Sequence, residues 1–266
     1  MRKWLFIGGM IAVASLSLGF LITKGSKDAS LSSHEKFEVP EYSEDEDIVR
    51  HLGYTASYNH GTLVPNWVAW ELTKTEACAD LGSSGFVSRN IPFSRDPDVK
   101  EPKACREDYS HSGWDKGHMA PRADMRWSPK ALEESFYFTN ICPQDHTMNS
   151  SAWRKIEEVT RRLANDNETV YVVCGPVFNE HRFGTIGEGC VQVPDGFFKA
   201  LAVSTTEGYH TVGFLMDNTP QTYSPRHYAV SVDSVESVIG RNLFPNGDEA
   251  AEKTIDWDFW KERLIY

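Results

Sequence analysis

The densest group of reactive side chains in the chain is Asp115-Lys116-Gly117-His118-Met119-Ala120-Pro121-Arg122, which offers a carboxylate, two cations, a flexible glycine and an imidazole in one segment. An imidazole with a pKa near 6.5 moves protons at neutral pH, and cations beside it suit an anionic substrate. With nine histidines present, a single one is ordinarily a surface or satisfied core residue, so the neighbours must give His118 its meaning. About twenty residues on, Thr139-Asn140-Ile141-Cys142-Pro143-Gln144-Asp145 leads into Asn149, Trp153, Glu157 and Arg161.

These residues need elements to hold them. Asn149–Ala164 has helical spacing, with Trp153, Ile156, Thr160, Leu163 and Ala164 recurring every three or four positions. Apolar, β-branched or aromatic runs bounded by turn residues predict strands over Ser135–Thr139, Thr169–Cys174, Phe197–Ser204 and His210–Met216. The last two flank Thr205–Tyr209, where Gly208 can supply a positive φ, so a hairpin is expected. A second helix fits Ser231–Ile239, opened by Ser231 or Asp233 and closed near Gly240. Strands and helices mix without βαβ alternation, which indicates an α+β fold.

In this order the motifs resemble those of the DNA/RNA non-specific endonucleases (the endonuclease G-like family). Asp115-Lys116-Gly117-His118 is similar to the family's DRGH motif, and the segment from Thr139 through Asn149, Trp153 and Glu157 to its TNIxPQ…N…W…E block. Further similarity lies in Gly175-Pro176-Val177-Phe178, in Val193-Pro194 before Phe197-Phe198-Lys199, and in Val235-Glu236 before Gly240 and Leu243-Phe244-Pro245. It runs from about Tyr54 to beyond Phe244.

The resemblance implies a ββα-metal (His-Me finger) nuclease fold with a mixed or antiparallel central sheet flanked by helices. It implies His118 as general base for the attacking water and Asn149 as the direct protein ligand to Mg²⁺, with Mn²⁺ as a substitute. It further implies DNA and RNA as substrates, 5′-phosphate products, and a possible homodimer. Mg²⁺ keeps several waters and takes few protein oxygens, so one amide oxygen is a workable ligand. Glu157 stands eight residues after Asn149, a helical rise of about 12 Å and an offset of about 80°. The two side chains are therefore not expected to share one ion, and Glu157 is assigned to a metal-held water. Arg161, at i+4 from Glu157, is placed to pair with it and to reach a phosphate oxygen. Asn140 is expected to fix the geometry or to touch the metal and its waters.

The family motif has arginine where this chain has Lys116, and an ammonium lacks the planar bidentate fork of a guanidinium. Lys116 and Arg122 remain candidate phosphate ligands. Arg89 and Arg95 both fall where the family carries a catalytic arginine, and the sequence does not choose between them.

Arg2 and Lys3, then an apolar run from Trp4 to Ile22, then Lys24 and Lys27 predict a signal peptide or membrane anchor over residues 1–27. The expectation is therefore an exported, periplasmic or extracytoplasmic protein, tethered to the membrane if uncleaved. Residues 28–47 are acidic and polar and read as a flexible linker, leaving residues 48–266 as one nuclease domain. The formal net charge of −11 opposes a polyphosphate-binding role, although much of the acid lies in that linker. None of the five cysteines forms a CxxC, and Cys78 with Cys105 is the first candidate disulfide. Gly82-Ser83-Ser84-Gly85 is not a nucleophile elbow and no H-E-x-x-H is present, which excludes serine and zinc hydrolases of those types. The alternative is a catalytically weak nucleic-acid-binding module on the same fold, with Lys116 as its sign.

Overall fold

Consecutive apolar residues, as in Ala200, Leu201, Ala202 and Val203, require strands buried on both faces, and a computed structural model shows them in a seven-stranded sheet. It describes residues 39–79, 91–166, 169–206 and 208–265. The strands are β1 (Asp47–Arg50), β2 (Thr55–Asn59), β3 (Val64–Leu72), β4 (Asp115–His118), β5 (Ile141–Gln144), β6 (Thr169–Val177), β7 (Thr185–Ile186), β8 (Val191–Gln192), β9 (Gly196–Thr205), β10 (Gly208–Asp217) and β11 (Ala229–Val230). The large sheet runs β1-β2-β3-β6-β9-β10-β11 with every pairing antiparallel, while β4-β5 and β7-β8 form separate ribbons.

Strand β9 shows why the sheet is a middle layer. Phe197, Leu201 and Val203 enter the core on one face, and Phe198, Ala200 and Ala202 enter the core on the other. The first face is covered by the Arg154–Asn165 helix through Ile156, Val159 and Leu163. The second is covered by the Val232–Ile239 helix and by Leu243 and Phe244. Ser231 caps the latter helix by accepting from the Ser234 N–H, and Gly240 ends it in the left-handed conformation at φ 68°. The β9–β10 hairpin turns at Gly208, whose φ is 144°.

Three expectations are corrected. Residues 135–139 are not a strand: a 3₁₀ turn covers Phe138–Asn140 and β5 begins at Ile141. The aromatic alternation there serves packing, since Phe136 and Phe138 are buried while Tyr137 makes only an isolated bridge to Ser94. The expected flexible linker does not extend to residue 47. Val39 is buried, the Glu41 N–H donates to Asn242 O at 2.9 Å, and Glu46 pairs with Arg241 at 2.9 Å, so residues 39–47 belong to the folded unit. Cys78 and Cys105 are not joined, and all five cysteines are free thiols. The predicted leader and the first part of the linker lie outside the described residues.

Candidate active site

The β4–β5 ribbon and the helical segment that follows it form a ββα unit packed on one face of the large sheet. Gly117 is required in β4 because a Cβ there would lie 1.9 Å from Gln144 Oε1. Its absence lets the Gln144 side chain cross the ribbon between the residues that flank Gly117.

Residues Met148–Trp153 wind as a π-helix before the α-helix Arg154–Asn165 begins. The i→i+5 winding turns through less angle per residue than an α-helix, so Asn149 and Glu157 come closer to one face than the α-helical offset predicts. Asp145 starts this segment, its Oδ1 accepting from the Met148 N–H at 2.9 Å and its carbonyl from the Asn149 N–H at 2.9 Å.

Two contacts dock β4 along the helix. Asn149 Nδ2 donates to Asp115 Oδ2 at 2.9 Å, and Trp153 Nε1 donates to His118 O at 3.3 Å. Asp115 also faces His146 Nδ1 at 3.0 Å. With its amide nitrogen held by Asp115, Asn149 presents its carbonyl oxygen as the remaining polar atom. Two residues of β4, Lys116 and Gly117, lie between Asp115 and His118, a rise of about 10 Å along the strand.

His118 packs edge-on against Phe136 with ring centroids 5.0 Å apart and against Phe93 at 5.4 Å. Its Nε2 is buried and has no hydrogen-bond partner among the described residues. Burial, with the Arg122 charge as a lesser cause, pushes its pKa down to about 4. At neutral pH the ring is uncharged.

Four charges, Asp124, Arg161, Lys199 and Glu157, form a cluster of which Asp124 and Lys199 are buried and Arg161 and Glu157 are half-buried. Asp124, fully buried, accepts from Arg161 at 2.8 Å and from Trp70 Nε1 at 3.2 Å. Lys199 is buried with its Nζ 4.1 Å from the Trp153 ring centroid and 5.4 Å from that of Trp70, and it has no hydrogen-bond acceptor among the described residues. Glu157 joins the group electrostatically. Burial pushes its carboxyl up to about 7, against the pull of Lys199 and with the push of Asp124. Arg161, expected to pair with Glu157, donates to Asp124 and meets Glu157 through space.

Asn140, expected to fix the geometry or to touch the metal and its waters, has contacts of the first kind. It is fully buried, its Oδ1 accepts from the Ala120 N–H at 2.8 Å, and its Nδ2 donates to Ala120 O and Ser135 O, each at 2.8 Å. Both N–H donors of its carboxamide and its oxygen are engaged by backbone groups. It pins the chain just beyond His118. Lys116 is half-buried, with Nζ 5.7 Å from the ring centroids of both Phe93 and Tyr109. Arg122 is exposed. Arg95 is engaged at the surface by Glu101 at 2.8 Å, and Arg89 lies outside the described residues.

The sequence profile of the DNA/RNA non-specific endonucleases matches residues 32–250. The chain belongs to this family. Human mitochondrial nuclease EXOG is 31% identical over 218 residues, covering 76% of this chain and 58% of that protein. Bovine mitochondrial endonuclease G is 33% identical over 206 residues, covering 73% of this chain and 67% of that protein. A chain from the crystal structure of an EndoG/EndoGI complex superposes with a TM-score of 0.72 at 27% identity, covering 79% of this chain and 90% of its own length. The fold is thus the ββα-metal nuclease fold, α+β with an antiparallel sheet. This chain spans about 58% of the length of EXOG.

The comparisons overturn the expected export to a periplasmic or extracytoplasmic location, since EXOG and endonuclease G are named as mitochondrial proteins. Among the described residues no helix is long and apolar enough to cross a membrane. Asp124 and Lys199 were missed as site residues. A lysine at an inward position of an otherwise apolar strand was the available signal for Lys199; Asp124 had none.

Proposed function

We propose that this chain is a metal-dependent endonuclease that hydrolyses the phosphodiester bonds of DNA and RNA, with His118 as general base. The observation that carries this reading is the uncharged, unpartnered Nε2 of His118 on a strand docked to the helix of Asn149. An imidazole already deprotonated at neutral pH takes a proton from an attacking water without first losing one of its own, and such bases typically contribute about 10²–10⁴-fold.

The oxygens around Asn149 suit a hard divalent cation. Its carbonyl oxygen is aimed by the Asp115 contact, and Asp115 adds a carboxylate beside it. Among the described residues no group of three or more His, Cys, Asp or Glu forms a metal cage, and a single amide oxygen with water completing the shell is a magnesium-like arrangement. Asn149 would hold Mg²⁺ or Mn²⁺, which supplies positive charge to the scissile phosphate and the leaving 3′ oxygen. Asp115 holds the amide in place, Asn140 holds the end of the His118 strand, and the walls formed by Phe93 and Phe136 keep the imidazole uncharged. Lys116 and Arg122 supply positive charge for the phosphate backbone. Contacts of this kind read no base sequence, so low base selectivity is expected.

Digestion of plasmid and of single-stranded RNA by the purified protein tests the reading. Cleavage is expected with Mg²⁺, with 5′-phosphate ends, and none in EDTA. His118→Ala is expected to lose about 10²–10⁴-fold. Cleavage undiminished by EDTA or by His118→Ala refutes the mechanism, and binding without cleavage would mark a nucleic-acid-binding module instead.

A further inference from the structure

Asn218 directly follows β10 and is buried, with 1% of its surface exposed. Its backbone N–H donates to Asp195 O at 2.9 Å. Its Nδ2 donates to Pro143 O at 3.1 Å and to Pro194 O at 3.0 Å, and its Oδ1 accepts from the Asp145 N–H at 2.7 Å. One carboxamide therefore joins the end of β5 and the start of the Asn149 helix to the Pro194–Asp195 segment leading into β9.

Both sides of this link are stiff. Asp195 accepts from the backbone N–H groups of Asn179, Glu180, His181 and Arg182 at 2.7–2.9 Å, which fixes the frame side. On the site side, Asp145 caps Met148 and accepts from the Asn149 N–H. The position of the Asn149 amide relative to the large sheet thus passes through Asp145 to Asn218. Two acceptors and one donor converge on a single side chain, and asparagine is the short residue that offers two N–H donors and an oxygen together.

We propose that Asn218 is a positioning residue for cation binding at Asn149; this rests on the reading of Asn149 as the metal ligand. Asn218 touches neither substrate nor metal. It sets where the helix begins, and loosening it costs affinity for the cation, as loss of a ligand's supporting hydrogen bonds typically costs about 10–100-fold.

The test measures Mn²⁺ binding to the full chain without nucleic acid, by loss of the free-ion signal in electron paramagnetic resonance. Asn218→Asp keeps the shape and the acceptor but loses both N–H donors, and Asn218→Ser gives a second, uncharged variant should the buried carboxylate prevent folding. Asn149→Ala is the positive control. Thr211→Val, which removes a buried hydrogen bond to Ala251 O remote from the site, controls for general destabilisation. The expected result is Mn²⁺ affinity weakened about ten-fold or more in a folded Asn218 variant. Turnover should recover at saturating Mg²⁺ and KM for DNA should be unchanged. Affinity within two-fold of the parent while Asn149→Ala weakens it overturns the proposal and leaves the metal-site reading standing. Equal weakening by Thr211→Val also overturns it. If Asn149→Ala itself leaves Mn²⁺ affinity unchanged, the underlying reading fails, and this proposal with it.

Discussion

Replacing Glu157 with glutamine isolates the electrostatic cost of its carboxylate in the charge cluster with Asp124, Arg161 and Lys199. The carboxyl is pushed from an ordinary 4.5 up to about 7, chiefly by burial. A raised folded-state pKa means that the associated stability is fully present below about 4.5 and is lost as pH rises through about 7. At about 1.4 kcal/mol per pH unit the full separation amounts to about 3 kcal/mol. Partial exposure of Glu157 and solvent screening reduce this to about 1–2 kcal/mol. For a domain of this size that is a difference of about 2–8 °C in melting temperature. Glutamine has the same shape and no titration, so it serves as the permanently neutral reference. The assay is thermal unfolding of both proteins in EDTA from pH 5 to 8.5. The glutamine variant should melt close to the parent at pH 5 and above it at pH 8.5, the gap opening as pH rises from about 4.5 and complete above about 7. Glu252, also pushed up to about 7, mainly by burial, titrates in both proteins and cancels in the difference. A gap that does not change with pH, or a variant less stable at pH 8.5, refutes the reasoning.

Three further predictions concern the site's parts. The His118 ring proton resonance should stay at its neutral position from pH 8 down to about 5, because burial holds the pKa near 4; an NMR titration midpoint at 6.5 would contradict this. Asn140→Ala should cost about 3 kcal/mol or more in urea unfolding, since three backbone groups lose their partner inside the protein. A loss under about 1 kcal/mol would show that water replaces them. Asp115→Ala should weaken Mn²⁺ binding by about 10–100-fold by releasing the Asn149 amide, and an unchanged binding isotherm would remove Asp115 from that role.

The parts of the structure visible in the sequence are those with local causes. The β9–β10 hairpin follows from two apolar runs around Gly208, and the Val232–Ile239 helix from the cap at Ser231 and the stop at Gly240. The proximity of the His118 and Asn149 segments was legible because their motifs are close in the chain. What was not legible depends on distant partners. Asp124 matters through Arg161 and Trp70, 37 and 54 positions away. The π-helical start of the Asn149 segment leaves an apolar stripe that spacing alone reads as ordinary α-helix. The strand expected over Ser135–Thr139 failed because alternating aromatics report burial and not ladder pairing.

The acidic stretch before β1 bears on any shortened version of the protein. Glu46 accepts from Ser57 Oγ at 2.6 Å and from Trp67 Nε1 at 3.3 Å while pairing with Arg241, and Val39 fills space beside Trp67 and Phe244. Cutting the chain at residue 48 would strip the indole and the guanidinium of a shared acceptor, open that face of the sheet to water and remove the first residue of the edge strand. A trimmed protein that keeps its native stability must begin upstream of Val39.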